Sequence, residues 1–306
     1  MSKKRNGTGI RVYFSTIFSQ DGKIYTLGYY LDSYNRIPCY WINGERMELD
    51  SEGLSGSFFA NRIKVQDGKV FVIGHYFIGD KGVYENFYWV DGKRTDLGLG
   101  SISSIYVEND IIYTTGSYKV DEYDSGNACY WVNGERKILP IPLLTQFSRV
   151  ESIYKHDEKI YLFGGYYIRE RKGINKKACY WVNGERTDLT PPDSGWSDIH
   201  SIFVDKDQIY AAGRYNSGDF FSKSTACYWV NGKRKKLSEP SGFFEGSSAL
   251  YIEVLNGNMY ILGSFRHNVM WNGRCYWVNG QRTDFVPEKN EDIIDATFTI
   301  NEMPVE

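Results

Sequence analysis

Apolar and polar positions alternate along this chain in short runs, and the runs recur in one order six times. Each copy starts with an alternating run: Thr16-Ile17-Phe18, Ile63-Lys64-Val65, Ser104-Ile105-Tyr106-Val107, Ser152-Ile153-Tyr154, Ser201-Ile202-Phe203-Val204 and Tyr251-Ile252-Glu253-Val254. A turn pair such as Asp21-Gly22, Asp67-Gly68 or Asn256-Gly257 follows. A second β-prone run then ends at Gly28, Gly74, Gly116, Gly164, Gly213 or Gly263. After a variable segment the copy closes on a near-constant phrase: Cys39 to Arg46, Tyr88 to Arg94, Cys129 to Arg136, Cys179 to Arg186, Cys227 to Arg234 and Cys275 to Arg282. Short runs of period two, bounded by Gly, Asn and Asp, predict strands, and no window shows the helical period.

The closing phrase predicts its own geometry. Asn-Gly, or Asp91-Gly92 in the second copy, sits between two β-prone runs. A type I′ hairpin turn needs φ > 0 at both central residues, which Asn tolerates and Gly accepts freely. With Asn183-Gly184 as the turn, Val182 faces Glu185, Trp181 faces Arg186 and Tyr180 faces Thr187. The same opposition pairs residues 41/46, 89/94, 131/136, 229/234 and 277/282. An Arg opposite a Trp is expected to lay its guanidinium along the indole, worth about 0.5–1 kcal/mol where exposed. A register-fixing pair is the preferred reading of that repetition, with sugar binding as the alternative.

The tryptophans of the phrase stand at 41, 89, 131, 181, 229 and 277, close to the period of a propeller blade. Four short antiparallel strands in each of six copies predict an all-β, six-bladed β-propeller. Circular closure also explains how so many strands avoid exposed edges. A β-solenoid is the competing architecture. The expected organisation is a flexible segment 1–11 and a single propeller domain 12–306, with blades near 12–50, 58–98, 102–139, 149–190, 199–237 and 248–286. Residues 293–301 resemble a seventh copy of the first run with nothing after it, and are expected to close the ring.

The glycine-ended second strand, followed by an aromatic and a later Trp, is similar to the kelch pattern, although Gly-Gly occurs only at Gly164-Gly165 and the Tyr–Trp spacing departs from it. The repeated Ile-Tyr-x-x-Gly-x-Tyr and Cys-Tyr-Trp-Val-Asn-Gly more closely resemble the Tyr-Trp-x-Asn-Gly repeats of bacterial proteins of β-propeller type, over residues 12 to 286. That resemblance implies a propeller fold and a surface or exported setting. It carries no catalytic residue.

Charge and composition narrow the function classes. The 306 residues hold 36 basic and 38 acidic side chains, a formal net charge of −2. Such a balance argues against non-specific nucleic-acid binding, which needs a concentrated basic surface. No run approaches the roughly 20 apolar residues of a helical membrane span. Met1 to Arg5 is basic, but no apolar stretch of signal-peptide length follows, so no signal peptide is expected. The chain as written reads as cytoplasmic, or as exported or cell-surface if a leader has been removed. The cysteines at 39, 129, 179, 227 and 275 share one position of the phrase, which Phe87 fills in the second copy. A position that accepts Phe is a packing position, so these thiols are expected to be small buried hydrophobes rather than disulfides, metal ligands or redox groups.

Function is expected on the connections. The first-to-second and third-to-fourth connections are tight in every copy, whereas the second-to-third and fourth-to-first ones read as long and variable, emerging together on one face. The second-to-third segments are Leu31–Pro38, Ile78–Asn86, Lys119–Ala128, Ile168–Ala178, Asn216–Ala226 and Arg266–Arg274, and the fourth-to-first ones include Thr190–His200 and Ser238–Ser248. Loops on a rigid scaffold are where recognition concentrates. The candidate ligand-binding residues on them are Tyr34, Tyr84, Tyr123, Trp196, Phe220, Phe243 and Trp271, rigid amphipathic side chains suited to a protein or carbohydrate partner. The four histidines fall at unrelated positions, and no metal, phosphate-loop or nucleophile-elbow motif appears, so no catalytic residue, metal or cofactor is assigned. The expected function is a non-enzymatic recognition or scaffold module. The alternative is a hydrolase or lyase using loop carboxylates at a channel mouth, drawn from Asp32, Asp80, Asp121, Glu122 and Asp124.

Overall fold

The computed structural model describes residues 12–285 apart from 33–34, 54–56, 171–172, 191–194, 217–222, 240–245 and 269–270, and omits the side chains of 32, 35, 267–268 and 271–272. Segments 1–11 and 293–301 lie outside the described residues. The described chain is all-β, without a helix. Among the described residues no helix is long and apolar enough to cross a membrane.

The described strands form five sheets, each a meander in chain order. The first holds β1 (Val12–Gln20), β2 (Lys23–Asp32), β3 (Asn35–Ile42) and β4 (Glu45–Glu48). The second has seven strands: β5 (Phe58–Gln66), β6 (Lys69–Ile78), β7 (Val83–Val90), β8 (Lys93–Glu108), β9 (Ile111–Tyr118), β10 (Asn127–Val132) and β11 (Glu135–Ile138). The others are β12 (Thr145–His156) to β13 (Lys159–Glu170), β14 (Gly173–Val182) and β15 (Glu185–Asp188); β16 (Trp196–Asp205) to β17 (Gln208–Asn216), β18 (Thr225–Val230) and β19 (Lys233–Lys236); and β20 (Gly246–Leu255) to β21 (Asn258–Asn268), β22 (Trp271–Val278) and β23 (Gln281–Phe285). The chain divides into two compact units, Met1–Pro142 with Gln146–Ile153, and Leu143–Thr145 with Tyr154–Glu306.

Six copies make five sheets because the second and third copies share β8 and so form one sheet. The first half of β8 pairs with β7 and its second half, from Gly100, pairs with β9. The expected long connection between the second and third copies is therefore absent. Gly98 (φ 82°) and Gly100 (φ 142°) carry the backbone round the corner. A second correction concerns the other variable segments. Much of four of them is paired strand: Leu31 lies opposite Arg36, Phe77 opposite Tyr84, Arg169 opposite Ile174 and Arg266 opposite Asn272.

The closing phrase folds as its turn chemistry requires. Asn43 (φ 51°) and Gly44 (φ 86°) are typical of the six turns, and Trp lies opposite Arg in every copy. The turn Asn or Asp also has a second task. Its Oδ1 accepts from the backbone N–H that begins the second strand: Ile24, Val70, Ile112, Ile160, Ile209 and Met259, all at 2.8–2.9 Å. The residue that permits the turn thus ties the outer hairpin to its neighbouring strand.

The glycine of the second run does not end a strand; β2, β6, β9, β13, β17 and β21 all continue beyond it. A β-bulge in the partner strand explains its presence. The first strand carries one extra residue between Phe14 and Thr16, Ala60 and Arg62, Ile102 and Ser104, Ile199 and Ser201, and Ala249 and Tyr251. Opposite each bulge stands Gly28, Gly74, Gly116, Gly213 or Gly263. A Cβ at these glycines would lie 1.8–2.5 Å from a carbonyl oxygen of the bulged strand. Bulged backbone and side chain cannot share that space.

Packing between successive sheets gives Tyr and Trp of the phrase opposite duties. Tyr40 joins the core cluster that contains Trp89; Tyr88 joins that of Trp131, and Tyr180 that of Trp229. In these copies the Trp therefore faces the preceding copy and the Tyr the following one, as period-two alternation demands. The indole N–H also reaches back. Trp89, Trp229 and Trp277 donate to the carbonyls of Asp50, Leu189 and Ser238, just after the preceding copy's fourth strand, at 2.8–3.0 Å.

Because the indole is buried against its neighbour, the opposed Arg stacks elsewhere, contrary to expectation. The guanidiniums of Arg46, Arg136, Arg186, Arg234 and Arg282 lie 3.8–5.5 Å from the rings of Tyr30, Tyr118, Tyr166, Tyr215 and Phe265, two residues past the strand glycine. In the second copy Arg94 lies over Phe87 instead.

Each Cys sits opposite the strand glycine, as with Cys39 and Gly28, and all five are buried free thiols. Burial pushes Cys39 and Cys275 up to about 12, and Cys129, Cys179 and Cys227 further in the same direction. Since the thiolate is the reactive form, iodoacetamide at pH 8 is expected to leave all five unmodified in the native protein and to modify all five in denaturant, read by intact mass. A single thiol alkylated at the rate of free cysteine would contradict this.

Candidate functional site

The regular scaffold runs as far as the strand glycine, and variation begins one residue beyond it. The cross-strand pair at that level is Tyr13/Tyr29 in the first copy, Phe59/His75 in the second, Ser101/Ser117 in the third, Asp198/Arg214 in the fifth and Ser248/Ser264 in the sixth. Same backbone, different chemistry: these positions can carry function without disturbing the bulge beside them.

In the first unit the pairs of the first two copies join into an aromatic strip. Tyr13 and Tyr29 stack at 4.9 Å between centroids. The Arg36 guanidinium lies 5.0 Å from Tyr29 and 4.9 Å from Phe59, bridging the two sheets. Phe59 stacks on His75 at 5.1 Å, His75 meets the edge of Tyr84 at 4.7 Å, and Tyr84 packs on Phe77 at 5.1 Å. Tyr13, Phe77 and Tyr84 are each about two-fifths exposed (40%, 37% and 42%). Burial lowers the pKa of His75, keeping the imidazole neutral at pH 7. The Asn61 amide, on the bulge, donates to its Nδ1 at 3.2 Å, which leaves the ring proton on Nε2. The strip offers ring faces bordered by phenol, imidazole and guanidinium donors. That combination grips flat ligands carrying both C–H faces and hydroxyls.

In the fifth copy, within the second unit, the corresponding level is charged. Lys176 Nζ lies 2.5 Å from Asp198 Oδ1, Arg214 Nη2 3.7 Å from Asp198 Oδ2, and His200 Nε2 4.0 Å from the same oxygen. Burial alone would raise the Asp198 pKa; Lys176, His200 and Arg214 outweigh it and hold the carboxyl below the usual range. The bulge sets His200 beside the cluster. Arg214 spreads over the Trp196 ring at 5.3 Å.

The candidates from sequence are thus separated. Tyr84 joins the strip, on β7 rather than on a loop, and Trp196 joins the charged cluster, on β16. Tyr123 lies on the connection between β9 and β10, 89% exposed and apart from both groups. Trp271 begins β22 opposite Asn268. Tyr34, Phe220 and Phe243 lie outside the described residues. The loop carboxylates Asp121 and Asp124 are occupied locally: Asp121 accepts from the N–H groups of Tyr123 and Asp124, and Asp124 from those of Val120 and Gly126. Burial raises the Asp124 pKa, but these donors prevail and hold it low, so it is no general acid at neutral pH. Tyr13, Tyr29, Arg36, Phe59, His75, Asp198 and Arg214 were not among the candidates. Of these, only Tyr29, His75 and Arg214 carry a signal in the sequence, as the variable residue of Gly-x-Tyr in an otherwise repeated phrase.

No protein-family model and no curated protein matches the chain. Solved structures similar to it include the β-propeller domain of the Trilobed protease from Pyrococcus furiosus, at 12% identity over 92% of this chain and 99% of that one, TM-score 0.33. Drosophila semaphorin 1a extracellular domains 1–2 follow at 9% identity over 90% and 79%, TM-score 0.46. Pyrococcus horikoshii acylaminoacyl peptidase has 13% identity over 92% of this chain and 53% of its own, TM-score 0.42. These likenesses assign neither family nor activity.

Proposed function

We propose that this chain is a six-bladed β-propeller, closed by residues 293–301, that recognises a carbohydrate chain through the strip Tyr13–Tyr29–Arg36–Phe59–His75–Tyr84–Phe77. The observation that carries the reading is the continuous contact of these rings across two sheets, with three of them substantially exposed. A ladder of stacked faces interrupted by a guanidinium suits successive sugar rings, whose C–H faces stack while their hydroxyls meet Tyr, His and Arg. The propeller supplies rigidity, so little ordering entropy is lost on binding.

Titration with neutral oligosaccharide panels (cello-, xylo- and chito-oligomers) tests it. Tyr84→Ala is expected to weaken binding at least about tenfold, equivalent to about 1.4 kcal/mol, with the melting temperature unchanged. Tyr123→Ala, equally aromatic and more exposed but off the strip, is expected to change nothing. Binding that survives loss of both Tyr13 and Tyr84, or depends on Tyr123 instead, would discard the strip as the site.

A further inference from the structure

We propose a second, independent site in the second unit: Arg214, laid on Trp196, binds the carboxylate of an acidic sugar. It shares no residue with the aromatic strip and does not rest on that reading. Asp198 and Arg214 are direct cross-strand partners, yet they do not form the usual forked ion pair. Lys176 takes Asp198 Oδ1 at 2.5 Å, and Arg214 stays 3.7 Å from Oδ2, beyond hydrogen-bond range. Arg214 Nε is buried with no hydrogen-bond partner among the described residues. The guanidinium is therefore held by the indole and by charge, while its side chain remains 39% exposed.

An arginine oriented by stacking and not consumed by its neighbouring acid is prepared for a planar oxyanion, which it takes in bidentate fashion. Lys176 offsets the negative charge of Asp198, so an incoming carboxylate does not meet an uncompensated acid. Trp196, partly exposed, offers an apolar surface beside that carboxylate, which favours an anion borne on a sugar ring over a bare inorganic one. Among the five cross-strand pairs described at this level the arrangement occurs only here: the other four are aromatic or serine.

The test is saturation-transfer NMR and calorimetry on the full chain with sodium glucuronate, its methyl ester, glucose and inorganic phosphate. Glucuronate is expected to bind about tenfold more tightly than its ester or glucose. Arg214→Gln is expected to abolish that preference, and Trp196→Leu to reduce glucuronate to the level of phosphate. Should Arg214→Gln lower the melting temperature, Arg214→Lys keeps the charge without the fork and should still weaken glucuronate several-fold. Preference that persists in both Arg214 variants would overturn the site. Phosphate binding as tightly as glucuronate in the parent protein would overturn the sugar part and leave a generic anion contact.

Discussion

Gly116→Ala is expected to cost about 3–5 kcal/mol, among the largest effects of any single methyl group in this chain. The added Cβ would sit 1.8 Å from the carbonyl oxygen of Ser101, inside covalent-scale distance, and that oxygen belongs to a bulged strand that cannot simply step aside. Relief requires separating β8 from β9, which surrenders ladder hydrogen bonds on both sides of the bulge. Gly184→Ala is the informative contrast. Nothing lies within 4 Å of its Cβ, so only the strain of φ +89° remains, about 1–2 kcal/mol. Urea unfolding followed by tryptophan fluorescence checks the order. Equal costs at the two sites would mean that the bulge is not what demands glycine.

Trp229→Ala should be comparably severe, about 3–5 kcal/mol, from the cavity left by a side chain only 1% exposed. Trp229→Phe isolates a second component. It preserves much of the ring packing but leaves the Leu189 carbonyl without the indole donor at 2.8 Å, for about 1–3 kcal/mol. Trp41 holds the same place in the phrase but packs edge-on against Phe14, itself 62% exposed. Trp41→Ala is therefore expected to cost roughly half as much as Trp229→Ala. The ranking matters more than the absolute values, because it tests whether the indole is valued for its neighbouring sheet or for its own hairpin. If Trp41 proved as costly as Trp229, the second explanation would hold.

Those two residues show where legibility ended. The Trp–Arg opposition was readable, since a two-residue turn with φ > 0 at both positions leaves one register. The partner of the guanidinium was not, because the indole turns away to a carbonyl some 39–40 residues earlier, and hairpin geometry says nothing about that distance. The candidate site divided similarly. Tyr84 and Trp196 stood out as aromatics in segments that differ between copies, but both lie on strands. Tyr29, His75 and Arg214 were hidden one residue after an apparently terminal glycine, in strands that in fact continue. A bulge leaves no compositional mark on the strand that bears it; only the glycine it forces on its partner betrays it.

Backbone dihedrals and period-two alternation suffice for the tight turns, the registers of the closing hairpins and the burial of the cysteines. Tertiary structure alone decided which ring each arginine covers, which copies share β8, and which side chains past the glycine meet to form the aromatic strip and the charged cluster. The physical reason is range. Turn and register follow from steric terms between residues at most a few positions apart, whereas rings from β1, β2, β5, β6 and β7 come together only after whole sheets have packed face to face, and their contact is encoded in no single repeat.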